Sequence, residues 1–259
     1  MALPLPRLLP AFALFLAVAG HGADSPLDRA LGHIDRGEFF AAEQLIEAQA
    51  KAKNPDPVAV WALSRVRTGQ GHNEEAVKLA ERALKLGGDQ ARFHAQLGAA
   101  LMARLNEATR LDRTSLTAKA RKAFEKTLSL EPGNVVALVG LARFHWSLPA
   151  QYGGDLAKAQ HYAERLRAAD PAKGELELGA VAARRRDFTA ALQHFETAAE
   201  LEPKNVEAHV SSGNILVRLD RLREARERYE LALRIAPRSE LARTALEALD
   251  QAQKPPAPR

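Results

Sequence analysis

The stretch that decides the fold is VEAHVSSGNILVRLDRLREARERYELALRIAP, residues 206–237. Apolar and small residues recur in it at three- and four-residue intervals, which predicts two amphipathic helices. A polar turn at Asp220-Arg221 separates the two helices. Pro237 ends the second helix, because proline has no N–H to donate and restricts the residue before it. The stretch therefore predicts a helix hairpin.

The same pattern recurs along the chain, which indicates a repeat architecture. An alanine near the start of each second helix returns at spacings of 34, 44, 39, 32 and 34 residues. These alanines are Ala42, Ala76, Ala120, Ala159, Ala191 and Ala225. A proline follows each of the last four alanines by 12 residues, at Pro132, Pro171, Pro203 and Pro237. We expect the small residues Gly98, Gly179 and Gly213 to let the paired helices approach closely, and the large residue four after each alanine to fill the seam.

Residues 25 to 250 resemble the tetratricopeptide repeat, a 34-residue pair of antiparallel helices. The best match places eight residues at the packing positions of that family: His209, Ser212, Gly213, Leu216, Ala225, Tyr229, Ala232 and Pro237. The resemblance implies an all-α fold, an α-α superhelical solenoid of about six helix pairs over residues 24–253. Such pairs share one core by stacking.

Five departures from the repeat carry expectations of their own. Extra residues at 103–117 should lengthen a hairpin or add helix, and a second insertion lies at 147–154. The first unit lacks a good opening helix. Residues 240–251 form a terminal capping helix that begins after Ser239, and the proline-rich tail 254–259 is extended and mobile.

The N-terminus has the pattern of a cleaved signal peptide. Arg7 precedes an apolar run that is too short to span a bilayer, and Ala17-Val18-Ala19 has the small-residue pattern of a cleavage site. We expect residues 1–19 to be removed and the mature protein to be periplasmic or secreted, with no stable membrane insertion. A chain without cysteine fits an oxidising compartment.

The composition and motifs give no support for catalysis. The absence of cysteine excludes a disulfide framework and Cys-ligated zinc, and no two of the eight histidines have the spacing of a helical metal site. We expect no metal, no cofactor and no enzymatic activity. The net charge of +5 indicates solubility more than nucleic-acid binding. Gly87-Gly88-Asp89 and Gly153-Gly154-Asp155 are interpreted as helix ends, with glycine in the left-handed region and aspartate capping the next helix.

The family resemblance also implies a partner site. In tetratricopeptide proteins the first helices line a groove that holds a peptide or a partner helix. Eight residues stand at the groove-facing positions: Trp61, Arg65, Arg92, Arg143, Trp146, Arg184, Asn214 and Arg218. We expect a non-catalytic scaffold that binds a protein or peptide in the bacterial envelope, with Arg143 and Trp146 near the centre and the 152–154 insertion as one wall. Two alternatives stay open: an accessory subunit that binds a small molecule or an anionic polymer, and tryptophans that only pack between repeats. The oligomeric state is not predicted.

Overall fold

The computed structural model describes residues 25–253, which form thirteen α-helices and one short 3₁₀ helix at Ala150–Tyr152. The α-helices are α1 Pro26–Asp35, α2 Phe39–Lys51, α3 Pro57–Gly69, α4 Asn73–Gly87, α5 Ala91–Arg104, α6 Arg110–Leu130, α7 Val135–Ser147, α8 Leu156–Ala169, α9 Pro171–Arg184, α10 Phe188–Leu201, α11 Val206–Arg218, α12 Leu222–Ile235 and α13 Glu240–Gln253. No strand occurs among the described residues, and the predicted all-α solenoid is confirmed. The predicted signal peptide and the 254–259 tail lie outside the described residues.

The helices pack as consecutive pairs, from α1 with α2 to α11 with α12, and α13 packs on α12 and α11. The first helix of a pair also contacts the first helix of the next pair from α1 through α9. The core is accordingly divided into successive apolar clusters along the chain. Each pair buries its apolar face only with the help of its neighbours, as in other repeat proteins.

Each of three hairpins has an aromatic ring lying directly over a glycine. The rings of Phe124 and Phe195 lie over Gly98 and Gly179, at 2.6 Å from where a Cβ would stand. Tyr229 covers Gly213 in the same way. The aromatic residue four positions after the alanine therefore fills the space between the two helices of a pair, as expected. The glycine on the first helix leaves room for its ring.

The first pair has an opening helix, so the expectation that it lacks one is wrong. Ser25 caps α1 by accepting a hydrogen bond from the amide of Asp28 at 3.1 Å. Pro26 occupies the first helical position, where its missing N–H has no partner in any case. Leu27, Ala30 and Ile34 bury one face of this helix.

The two insertions fold against each other. The first extends α6 to 21 residues, whereas the other second helices have 13 to 15. The second forms the 3₁₀ helix, and the guanidinium of Arg113 on α6 lies 5.8 Å from the ring of Tyr152. Gly153 has a φ of 95°, and its carbonyl lies 2.9 Å from Nδ1 of His145.

The two Gly-Gly-Asp segments end helices differently. Gly88 follows α4 with a φ of 72° and a ψ of −163°, a conformation that favours glycine but is not the expected left-handed helical one. Gly153 does adopt the left-handed conformation, and Asp155 caps α8 through the amides of Ala157 and Lys158. The expectation that Asp89 caps α5 is wrong, because Gln90 occupies that position. The Asp89 carboxylate instead pairs with Lys126 and His94, each at 2.5 Å.

Candidate functional site

A groove of about 500 Å³ opens in the middle of the solenoid. The first helices α5, α7, α9 and α11 form its walls, and α6 contributes one aromatic ring. Its volume lies in the range of about 300–1,000 Å³ that is typical of ligand sites. The lining residues are Ala99, Met102, Phe124, Val135, Val136, Val139, Gly140, Arg143, Lys173, Leu176, Glu177, Asn205 and Glu207.

Helix α7 supplies the apolar wall of the groove. Asn134 caps this helix, with its Oδ1 accepting from the amide of Ala137 at 3.1 Å. Gly140 lies against the ring of Phe124, which leaves no room for a Cβ. The glycine thus allows α7 to lie close to α6, and the valines of its first two turns line the groove. Val136 is 51% exposed, an unusual position for a β-branched apolar residue.

A buried carboxylate holds two of the predicted site residues together. Glu177 on α9 is 2% exposed. Its Oε1 accepts from Nε of Arg143 at 2.6 Å, and its Oε2 accepts from Nε1 of Trp146 at 2.8 Å. Arg143 and Trp146 both belong to α7, so the carboxylate fastens α9 to α7 and fixes the orientation of the guanidinium and the indole.

A second carboxylate reaches the same arginine from two repeats away. Nη2 of Arg143 lies 2.9 Å and 3.1 Å from the two carboxylate oxygens of Glu207 on α11. Both side chains are about half exposed, at 40% and 49%. The bond passes from α7 to α11 beside the groove that both residues line. We call this contact the Arg143–Glu207 link.

The charges of this cluster are set by burial and by one another. Burial raises the pKa of the Glu177 carboxyl above its ordinary value, and the neighbouring Arg143 opposes that rise. Burial lowers the pKa of Arg143, but Glu177 and Glu207 outweigh it and raise that pKa above its ordinary value. The guanidinium is therefore charged throughout the physiological range, and it can recognise polar groups through the donors that the two carboxylates leave unused.

Three predicted residues of the N-terminal half contact each other instead of the groove. Nε1 of Trp61 donates to the carbonyl of Arg92 at 3.1 Å, and this bond joins α3 to α5. The guanidinium of Arg65 lies 5.2 Å from the Trp61 ring and pairs with Asp35 of α1 at 2.9 Å. None of the three lines the described groove.

The last three predicted residues share a separate hollow of about 420 Å³. Arg184, Asn214 and Arg218 line it together with Arg186, Phe188, Ala183 and Ile215. Oδ1 of Asn214 accepts from the buried hydroxyl of Tyr229 at 2.8 Å. This hollow, which we call the arginine hollow, contains no acidic residue among those that line it.

The sequence analysis missed Glu177, Lys173 and Glu207. A signal for Glu177 was available, because a carboxylate stands between Leu176 and Leu178 on the apolar face of α9. The expectation that the 152–154 insertion forms a wall of the site is wrong. Within residues 25–253 that segment packs against α6 and His145, on account of the lengthened α6, and it does not line the groove.

Two kinds of feature are absent from the described part of the chain. Residues 25–253 hold no cluster of three histidine or acidic side chains arranged to bind a metal ion. None of their helices combines the length and the apolar character needed to cross a membrane.

Comparisons with known proteins place the chain among repeat proteins. Residues 182–249 match the family model of the tetratricopeptide repeat. No curated protein matches the sequence.

Three solved structures share the fold at low sequence identity. One is a chain of the APC/C hetero-tetramer Cut9–Hcn1, with a TM-score of 0.64 and 13% identity over 90% of this chain and 44% of that one. The chain thus spans less than half the length of that protein. PilW, a type IV pilus biogenesis factor, has a TM-score of 0.62 and 19% identity over 85% of this chain and 96% of its own.

The third structure is PilF of Pseudomonas aeruginosa, with a TM-score of 0.56 and 17% identity over 89% of this chain and 97% of its own. Identities this low speak to the fold alone. The family match identifies residues 182–249 as tetratricopeptide repeats, and the stacked helix pairs of residues 25–253 share the fold of the three solved structures.

Proposed function

We propose that the protein is a non-catalytic scaffold that binds an extended segment or helix of a partner protein in the groove between α5, α7, α9 and α11. The observation that carries the proposal is an open apolar wall beside a pre-oriented arginine. Val136 is half exposed, although the nearby core shows that the chain can bury such residues. Apolar surface of this kind is stabilised by a partner that removes it from water.

The polar groups of the groove favour recognition over chemistry. Arg143, Glu177 and Glu207 are engaged with one another, so none of the three is a free acid or base beside an open reaction space. Arg143 is held by a buried acceptor and is therefore rigid, and rigid arginine anchors contribute much of the energy of many interfaces. Trp146 shares that acceptor but does not line the groove. A partner would place apolar side chains against α7 and a polar or charged group near Arg143.

The groove is best tested at Val136, because a change there leaves the ion pairs intact. Removing Arg143 would strand the buried carboxylate of Glu177, which is strongly destabilising in itself. Val136→Glu places a charge on the apolar wall. Leu86→Glu on α4 is the matched control, since Leu86 is also an exposed aliphatic residue, at 46%, and lines no described hollow.

In the experiment, 15-residue peptides that bind the wild-type protein are selected from a random library. The selected peptides are then titrated by calorimetry against wild type, Val136→Glu and Leu86→Glu. We expect peptides with apolar residues that bind wild type and Leu86→Glu equally, and Val136→Glu at least about tenfold more weakly. Peptides that bind all three proteins alike would place the site elsewhere. A failure to select any saturable binder would reject the proposal.

We also propose that the protein is exported and acts in the bacterial envelope. The proposal rests on the sequence of residues 1–19, with its single cation, apolar run and small-residue site. Mass spectrometry of the native protein should find a mature N-terminus between Gly20 and Asp24. An intact Met1 on protein recovered from the cytoplasm would contradict it.

A further inference from the structure

The arginine hollow differs from the groove in its charge. In the groove two cations face two carboxylates, whereas the hollow is lined by Arg184, Arg186 and Arg218 and by no acidic side chain. Three arginines that line one hollow attract an anion, because no carboxylate among the lining residues offsets their charge. We propose that this hollow binds a phosphate monoester carried by a small soluble molecule.

A fixed amide supports the assignment. The Tyr229 hydroxyl donates to Oδ1 of Asn214, and burial raises the pKa of that hydroxyl, so it stays protonated and keeps donating. With its oxygen engaged, Asn214 offers its N–H groups as the remaining hydrogen-bonding capacity. The polar side chains of the hollow are then all donors, which suits an anion and excludes a cation.

The backbone at Arg186 has the conformation that this turn of the repeat requires. Arg186 has a φ of 66°, a left-handed conformation that L residues seldom adopt. The corresponding turns of the first two pairs have Gly37 and Gly71 with positive φ, and that of the last pair has Asp220 at a φ of 59°. An arginine at this position is therefore less favourable than glycine, and Arg186 lies at the turn that borders the hollow.

The number of charges favours phosphate over carboxylate. A carboxylate has one negative charge and two oxygens, whereas a phosphate monoester has nearly two charges at neutral pH and three acceptor oxygens. Arginine forks match those oxygens with paired hydrogen bonds. Phe188 and Ile215 add an apolar side to the hollow, and its volume of about 420 Å³ fits a small molecule.

The test uses ligands and variants that differ in one property each. Phenyl phosphate and benzoate share a ring and differ in the anion, and both are titrated by calorimetry at low ionic strength. Arg186→Gly removes a guanidinium and relieves the backbone strain, so it should melt no lower than wild type. Arg218→Gln removes a second guanidinium. Arg234→Gln on α12 is the control, since Arg234 is exposed and lies outside the described hollows.

We expect phenyl phosphate to bind wild type and Arg234→Gln equally, and Arg186→Gly and Arg218→Gln at least about tenfold more weakly, as for a lost charged hydrogen bond. Its affinity should rise between pH 5 and 7.5, as the second proton leaves a phosphate with a pKa of about 6. Benzoate should bind more weakly and show no such rise.

Three results would overturn the proposal. The first is no saturable binding of phenyl phosphate, or equal binding to Arg186→Gly. The second is equal affinity for benzoate, which would make the hollow a general carboxylate site. The third is binding to vesicles containing phosphatidic acid without binding to phenyl phosphate, which would assign the hollow to a membrane surface. None of these results bears on the groove, because Val136 lies outside the hollow.

Discussion

At the scale of single residues, the glycines under aromatic rings determine how closely the paired helices approach. Gly213 is buried in α11, and a Cβ added to it would stand 2.8 Å from Cδ1 of Tyr229 and closer still to the neighbouring ring carbon. The ring cannot simply swing away, because its hydroxyl is bonded to Asn214. The glycine is therefore required by the ring and not by the backbone conformation.

Gly213→Ala should lower the free energy of unfolding although alanine is the better helix former. Alanine gains about 1 kcal/mol of helix propensity, and overpacking against a ring typically costs about 1–3 kcal/mol. We expect a net loss in urea unfolding. Gly133→Ala is the control, since no heavy atom lies within 4 Å of its added Cβ. A Gly213→Ala protein as stable as wild type would contradict the close contact.

His145 makes the stability of the protein depend on pH. It is 3% exposed, and burial lowers its pKa below the ordinary 6.5. Below pH 6.5 the unfolded chain binds a proton at this histidine that the folded chain resists, so folding stability falls as the pH falls. Wild type should lose more stability between pH 7.5 and 5.5 than His145→Gln. His161→Gln, at an exposed histidine on α8, should behave like wild type. Equal losses in all three proteins would exclude this role for His145.

At the scale of elements, the turns were the most predictable feature of the chain. The offset of 12 residues from alanine to proline located the ends of α6, α8, α10 and α12, because proline acts through the backbone alone. The sequence analysis did not predict helix α1, because its proline, Pro26, begins a helix and does not follow the end of one. The outcome of the 103–117 insertion was left open, because a longer hairpin and a longer helix satisfy the same local pattern.

The terminal helix α13 should stabilise the array through one face. Leu249 is 4% exposed against the last cluster of the core, whereas Leu241 is 55% exposed on the same helix. Leu249→Ala should lower the free energy of unfolding by about 2 kcal/mol or more, and Leu241→Ala should change it little. Thermal and urea unfolding of the pair measure the difference. Equal melting of both variants would show that α13 does not cover the core.

At the scale of the whole molecule, the site was harder to predict than the fold. The repeat register put Arg143 and Trp146 among the first-helix residues that face a groove, and Arg143 does line one. It did not reveal Glu177 and Glu207, because contacts between residues 34 and 64 positions apart depend on how far each pair rotates against the next. That rotation is the sum of many small packing terms, and no short motif encodes it.

Phe124 joins the two halves of the solenoid. Consecutive helices contact each other least at α6 and α7, yet the ring of Phe124 touches Gly98 on one side of this junction and Gly140 on the other. Phe124→Ala should lower the free energy of unfolding by about 3–5 kcal/mol and separate the unfolding of the halves.

The two tryptophans report on this separation, because Trp61 lies before the junction and Trp146 after it. Urea midpoints are measured by fluorescence in a Trp146→Phe background and in a Trp61→Phe background. Each background loses a hydrogen bond of its own, so the quantity compared is the difference between the two midpoints, which should be larger in Phe124→Ala than with Phe124 present. Phe40→Ala, at a residue 72% exposed, is the control. A difference between the midpoints that is the same with and without Phe124 would show that the junction does not depend on this ring.

The Arg143–Glu207 link has a mechanical consequence. A solenoid whose repeats touch only their neighbours behaves as a spring, and each pair can tilt slightly against the next. The hydrogen bond from α7 to α11 joins two helix pairs that are not adjacent along the solenoid. It therefore fixes the distance between these pairs at rest, in the segment that carries the groove. Because both partners are half exposed, dissolved salt weakens the tie. Higher ionic strength should therefore make the middle of the molecule less stiff. The buried Glu177 keeps Arg143 in position, so the Arg143–Glu207 bond can form again when the salt is removed.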